Sequence, residues 1–136
     1  MPADIVGDRV ELRGLRVLAH CGVLPEEQSR RQPFSLDIDL HVDLAPAGRS
    51  DNLIDTVDYG DVCDRVQQLA ADGRFSLMER FAAVIADELL GIDGVSGVEV
   101  SVTKVRPPVG VDLATSGVRI RRGVSDEAGN PSTGSR

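Results

Sequence analysis

The chain has 136 residues, of which 41% are hydrophobic and 27% charged, a size and composition suited to one soluble domain with one core. Its formal charge of −7 argues against nucleic acid and anionic membranes as main partners, because no excess of cations is available to replace counterions. An anionic small molecule in a local basic site stays open.

The opening MPADIVGDRVEL lacks a basic segment followed by an apolar run, so no signal peptide is expected. No stretch is apolar enough to span a membrane. Two cysteines, Cys21 and Cys63, make no disulfide framework, and a cytoplasmic protein with free thiols is the expectation. The domain is expected over residues 8–122, with a flexible N-terminus at 1–7 and a disordered Ser/Gly-rich tail at 123–136.

The first strand is predicted over 9–20, with Gly14 as a bend or bulge. The second is clearer. In FSLDIDLHVDL, Phe34, Leu36, Ile38, Leu40, Val42 and Leu44 alternate with Ser35, Asp37, Asp39, His41 and Asp43. That period predicts one buried and one wet face. Residues 45–57 are rich in turn formers. Helical spacing then runs from Tyr59 through Val62, Cys63, Val66, Leu69 and Ala70, ending at Asp72-Gly73. A second helix is predicted over 76–90, a loop over 91–97, and strands over 98–105 and 117–121. The order β-β-α-α-β-β describes an α+β layer, a four-stranded antiparallel sheet covered by two helices. Its open sheet edges predict a homo-oligomer, because pairing edges between subunits into a barrel removes them.

Four side chains could carry chemistry. Ser76-Leu77-Met78-Glu79 fits a capping box, in which Glu79 returns to the N–H of Ser76. A carboxylate there also suits two parallel donors of a guanidine-like ligand edge. Lys104 shares strand parity with Val98, Val100 and Val102, so it points toward the core. It is either a lysine that snorkels out at the strand end or a general base at a pocket rim. Lowering a lysine pKa from about 10.4 to near 8 takes roughly 3 kcal/mol of differential environment. Tyr59, the only tyrosine, is either a core aromatic or functional. Glu27, in CGVLPEEQSRRQPF, reads as a solvated loop carboxylate. His20-Cys21 has no companions to complete a metal site, since the only other histidine is His41.

In combination, RVELRGLRVLAHCGVLPEEQSRRQPF, DLAPAGRSDNLIDTVDYGDV, FSLMERFAAVIADELL and VSVTKVRPPV resemble the dihydroneopterin aldolase family across residues 8–122. The resemblance implies the tunnelling fold (T-fold), with tetrameric rings stacked as an octamer and sites between subunits. It implies that Glu79 anchors a pterin, with the Met78 backbone holding the same ring. Lys104 matches the family's catalytic lysine. Tyr59 matches a catalytic and substrate-binding tyrosine supplied by the neighbouring subunit, and Glu27 a glutamate of the substrate site.

The implied reaction is a retro-aldol cleavage in folate synthesis. 7,8-Dihydroneopterin gives 6-hydroxymethyl-7,8-dihydropterin and glycolaldehyde, without metal, Schiff base or other cofactor. The chain departs from the family pattern at Val105, Arg31, Cys21 and Ala83. Rival readings are an epimerase of dihydroneopterin or its triphosphate on the same scaffold, for which Arg106 is the one cation named, and a non-catalytic pterin- or purine-binding module. A zinc-dependent pterin synthase of this fold would need a histidine triad, and an oligomer without ligand would leave Glu79 a cap.

Overall fold

The computed structural model describes residues 7–123; apart from Gly7 and Gly123, the expected flexible N-terminus and disordered tail lie outside the described residues. The main elements follow the expected order: β1 (Arg9–Cys21), β2 (Gln32–His41), α3 (Tyr59–Asp72), α4 (Met78–Leu90), β4 (Gly97–Lys104) and β5 (Ser116–Gly123). Four short elements are added: α1 (Pro25–Ser29), α2 (Ala45–Ser50), a 3-10 turn (Leu53–Asp55) and a two-residue strand β3 (Arg74–Phe75). The sheet order is β3-β1-β2-β4-β5. The four long strands are antiparallel, and β3 adds a short parallel pairing to His20 and Cys21.

The bulge in β1 decides which side chains enter the core. Leu12 pairs with Ile38 and Leu15 with Leu36, so β1 carries one extra residue there. Gly14 takes φ +71°, and its N–H donates to Asp37 Oδ1 at 2.8 Å. Val10 and Leu12 pack on the core before the bulge; Leu15, Val17, Ala19 and Cys21 do so after it. The strand thus changes from even to odd parity without leaving the sheet.

Phe34, Leu36, Ile38 and Leu40 of β2, with Val98, Val100 and Val102 of β4, form the buried face. Val62, Val66 and Ala70 of α3 meet them at i, i+4 spacing, as do Phe81, Ile85 and Leu89 with Ala82 and Ala86 of α4. Each large buried side chain contributes about 1.5–3 kcal/mol relative to exposure. Among the described residues no helix is long and apolar enough to cross a membrane.

Three local expectations change. The segment 45–57 is partly helical: Pro46 lies in the first turn of α2, and Asp51 ends it in the left-handed region at φ 57°. Asn52 then caps a 3-10 turn at Leu53–Asp55 by accepting from the Ile54 N–H. The second strand stops at His41 rather than Leu44, because Asp43 accepts from the Ala45 N–H and turns the chain into α2. The polar face of β2 is also not uniformly wet. Asp39 is buried beneath Arg13, whose Nη2 lies 2.7 Å from Oδ1, and His41 is buried where the Ser96 N–H and hydroxyl donate to its carbonyl.

Candidate active site

Alternation along β4 places Lys104 on the core face directly after Val98, Val100 and Val102, opposite Phe34 of β2. It does not snorkel into water: the residue is 8% exposed. Its Nζ donates to Glu27 Oε2 at 2.7 Å. This overturns the solvated-loop reading of Glu27, which is 6% exposed and lies in the first turn of α1. Pro25 starts that turn with its φ already suited to a helix.

Two further groups hold the Glu27 carboxylate. Leu24 N–H donates to Oε1 at 3.3 Å, and Gln32 Nε2 donates to Oε2 at 3.1 Å and to the Cys21 carbonyl at 2.9 Å. A Cβ at Gly22 would overlap the carboxylate, so glycine permits the close approach. The Gly22 N–H donates to the Phe75 carbonyl at 3.0 Å, and the Gln28 amide donates to the Gly22 carbonyl. Burial by itself would raise the Glu27 pKa. The hydrogen bonds from Lys104, Gln32 and Leu24, with the Lys104 charge, outweigh it and hold the carboxyl below its ordinary range.

Cys21 is fully buried beside this pair, and its thiol is free. Burial pushes its pKa up to about 11, against the opposing charge of Lys104, so at neutral pH it is a protonated packing group. Among the described residues no cluster of three or more His, Cys, Asp or Glu side chains could hold a metal ion.

The capping box at Ser76–Glu79 does not form. Leu77 is extended, at φ −125° and ψ 144°, and is itself the residue that precedes the helix, without a side-chain cap. The helix therefore starts one residue later than the box requires, and its first turn closes through Arg80 and Phe81 N–H groups donating to the Leu77 carbonyl. Glu79 is exposed in that first turn, with no hydrogen-bond or ion-pair partner among the described residues. The carboxylate is free to accept a ligand at the positive end of α4.

One recess of about 340 Å³ gathers Glu27, Met78, Glu79 and Lys104, with Val23, Leu77 and Val109 as exposed apolar rim. It thus combines an unpartnered carboxylate at one point with a buried amine–carboxylate pair at another, which suits a flat apolar ligand bearing a cationic or amidine-like edge. Tyr59 is not in its lining. It opens α3 behind the cap Asp58, whose Oδ1 accepts from the Gly60 and Asp61 N–H groups, and at 62% exposure it is no core aromatic. Gln32 and Gly22 escaped the sequence reading. Gln32 holds Glu27 and Gly22 leaves room for it, and the only local sign was a polar residue and a glycine flanking the PEE turn.

The family model for dihydroneopterin aldolase matches residues 10–121. A dihydroneopterin aldolase of Streptococcus pyogenes serotype M3 is 37% identical over 116 residues, covering 85% of this chain and 98% of the relative. The Escherichia coli dihydroneopterin aldolase solved with neopterin superposes with a TM-score of 0.78 at 32% identity, over 85% of this chain and 99% of that one. The Burkholderia thailendensis dihydroneopterin aldolase bound to guanine gives 0.71 at 31% identity, over 86% and 91%.

Proposed function

This chain belongs to the dihydroneopterin aldolase family, and from that premise we propose that the recess between α1, α4 and the end of β4 is its pterin site. The observation that carries this is the convergence of Glu27, Met78, Glu79 and Lys104 on one recess, from three separate elements. The neopterin and guanine bound by the two relatives share an amino-substituted N–C–N ring edge. Glu79 would accept from both donors of such an edge, while the Met78 backbone holds the same ring.

The retro-aldol step then needs a base near the substrate side chain and a proton source for the product. Lys104, acting through a water, would take the 2′-hydroxyl proton. The bond between C1′ and C2′ breaks, its electron pair passes into the dihydropterin ring as an enol, and glycolaldehyde leaves. Reprotonation at C1′ gives the hydroxymethyl product, with Tyr59 moving that proton. Glu27 holds the amine through its hydrogen bond and would balance the positive charge that Lys104 carries once it has taken the proton.

Tyr59 would come from a neighbouring subunit of a tetrameric ring, stacked as an octamer. Its exposure, together with that of Leu53 and Ile54, leaves an apolar segment available to meet another copy. The free thiols suit a cytoplasmic setting.

The test is turnover of 7,8-dihydroneopterin with chelator present, with products resolved by chromatography. The aldolase reading expects 6-hydroxymethyl-7,8-dihydropterin. Dihydromonapterin alone would make the chain an epimerase, and pterin binding without turnover would make it a binding module. For Tyr59, the phenylalanine variant should release more oxidised product; an unchanged product ratio removes its proposed role.

A further inference from the structure

A second recess of about 290 Å³ adjoins the first, and Glu27 and Pro108 line both. Its other walls include Arg30, Arg31 and Arg106. The short helix α1 therefore presents Glu27 toward Lys104 and leads directly into Arg30 and Arg31. Arg106 follows Lys104, the last residue of β4, by two positions and precedes Pro107 and Pro108.

What sets these arginines apart is that they share one recess; the side chains of Arg16, Arg49 and Arg80 also have no hydrogen-bond or ion-pair partner among the described residues, but they do not line it. Arg9, Arg13, Arg65 and Arg121 each lie within 4.0 Å of a carboxylate. Arg30 and Arg106 have no hydrogen-bond or ion-pair partner among the described residues. Among the described residues Arg31 reaches only the Ala71 carbonyl, at 3.5 Å. Of the two carboxylates in the lining, Glu27 is neutralised by Lys104, which leaves Glu26 against three guanidiniums. On a chain of charge −7, this is a local cationic recess next to the Lys104–Glu27 pair of the adjoining recess.

Resting on the aldolase reading of the adjoining site, we propose that the Arg30–Arg31–Arg106 recess receives a phosphoryl group esterified to the far end of the pterin's side chain. The enzyme then accepts dihydroneopterin phosphates as substrates alongside the free triol. Guanidinium groups suit this ligand because they offer forked donors to phosphate oxygens and stay charged at every working pH. The retro-aldol bond changes are the same for the ester; the leaving aldehyde is glycolaldehyde phosphate instead of glycolaldehyde.

The test compares 7,8-dihydroneopterin with its 3′-monophosphate and 3′-triphosphate, on the wild type and on Arg31→Ala/Arg106→Ala. Neither changed residue lines the pterin recess. We expect kcat/KM for at least one phosphate ester to exceed that of the free triol by tenfold or more at low salt, and to fall as salt rises. The double variant should lose that advantage while keeping its rate on the free triol within twofold. Inorganic phosphate should raise KM for the ester alone. Equal kcat/KM for triol and esters in the wild type overturns the proposal and leaves the aldolase reading standing. So does an equal loss on all substrates in the variant, or a change in kcat for the free triol caused by inorganic phosphate, which would mark a separate anion site. Turnover of none of the three overturns both.

Discussion

Two ion pairs, one within the sheet and one joining it to α1, have the same length and different settings. Arg13 Nη2 and Asp39 Oδ1 lie 2.7 Å apart on the polar face, where Asp39 is buried at 11% side-chain exposure but Arg13 reaches solvent at 49%. Lys104 Nζ and Glu27 Oε2 also lie 2.7 Å apart, with side-chain exposures of 11% and 6%. Arg13 has a second carboxylate, Glu11, at 3.4 Å, and Asp39 has Arg9 at 4.0 Å, so either can lose a partner and keep another. Lys104 has no acceptor but Glu27 among the described residues. Distance therefore says little about what a pair does. Solvent screening makes the outer pair replaceable, whereas burial ties the inner one to a single geometry.

The largest effect that would sharpen this contrast is on turnover. Lys104→Ala should lower kcat by about 10²–10⁴ while Glu79 keeps pterin affinity within a few-fold; single-turnover kinetics beside equilibrium binding separates the two. A comparable loss from Arg13→Ala would dissolve the distinction between the pairs.

Stability comes next. Glu27→Leu leaves the Lys104 amine buried without its partner and should cost on the order of 3 kcal/mol in denaturant unfolding. Adding Lys104→Met should restore most of it, because two apolar side chains need no partners. If the double variant is no more stable than the single one, burial of the unpaired amine is not the source of the cost.

Acid should act on the inner pair in a defined direction. The folded-state pKa of Glu27 lies below its unfolded value of about 4.3. Its contribution is therefore fully present above that value and is lost as pH falls through the folded pKa. The stability difference between wild type and Glu27→Gln should stay constant from pH 7 to about 5 and shrink below about 4, as followed by thermal melts across that range. A constant difference down to pH 3 would contradict the shift.

The smallest effect belongs to the outer pair. Arg13→Ala should change unfolding free energy by less than about 1 kcal/mol and less still at high salt. A loss near that of Glu27→Leu would show that the polar face is no more replaceable than the site.

Much of this arrangement was legible in the chain. The alternation at 34–44, which overran the strand's end at His41, and at 98–104 marked the strands and put Lys104 on the core side, and helical spacing marked α3 and α4. Glu79, Met78, Lys104 and Glu27 were all named as candidates. The capping box failed because one residue of extended backbone at Leu77 shifts the helix start, which a four-residue pattern does not detect. Glu27 read as solvated because nothing in PEE signals burial. Tyr59 was weighed as a core aromatic, and the structure leaves it on the surface at the start of α3.

By itself the sequence determined what is periodic. Strand alternation and helical spacing are local, since successive side chains are fixed in direction by the backbone geometry of their own element. Only the tertiary structure decided which groups met. Glu27 and Lys104 are 77 residues apart in the chain, and the carboxylate reaches the amine because Gly22 leaves room and Gln32 and Leu24 hold its oxygens. A contact of that kind depends on how β1, α1 and β4 pack against one another, and no local pattern encodes it.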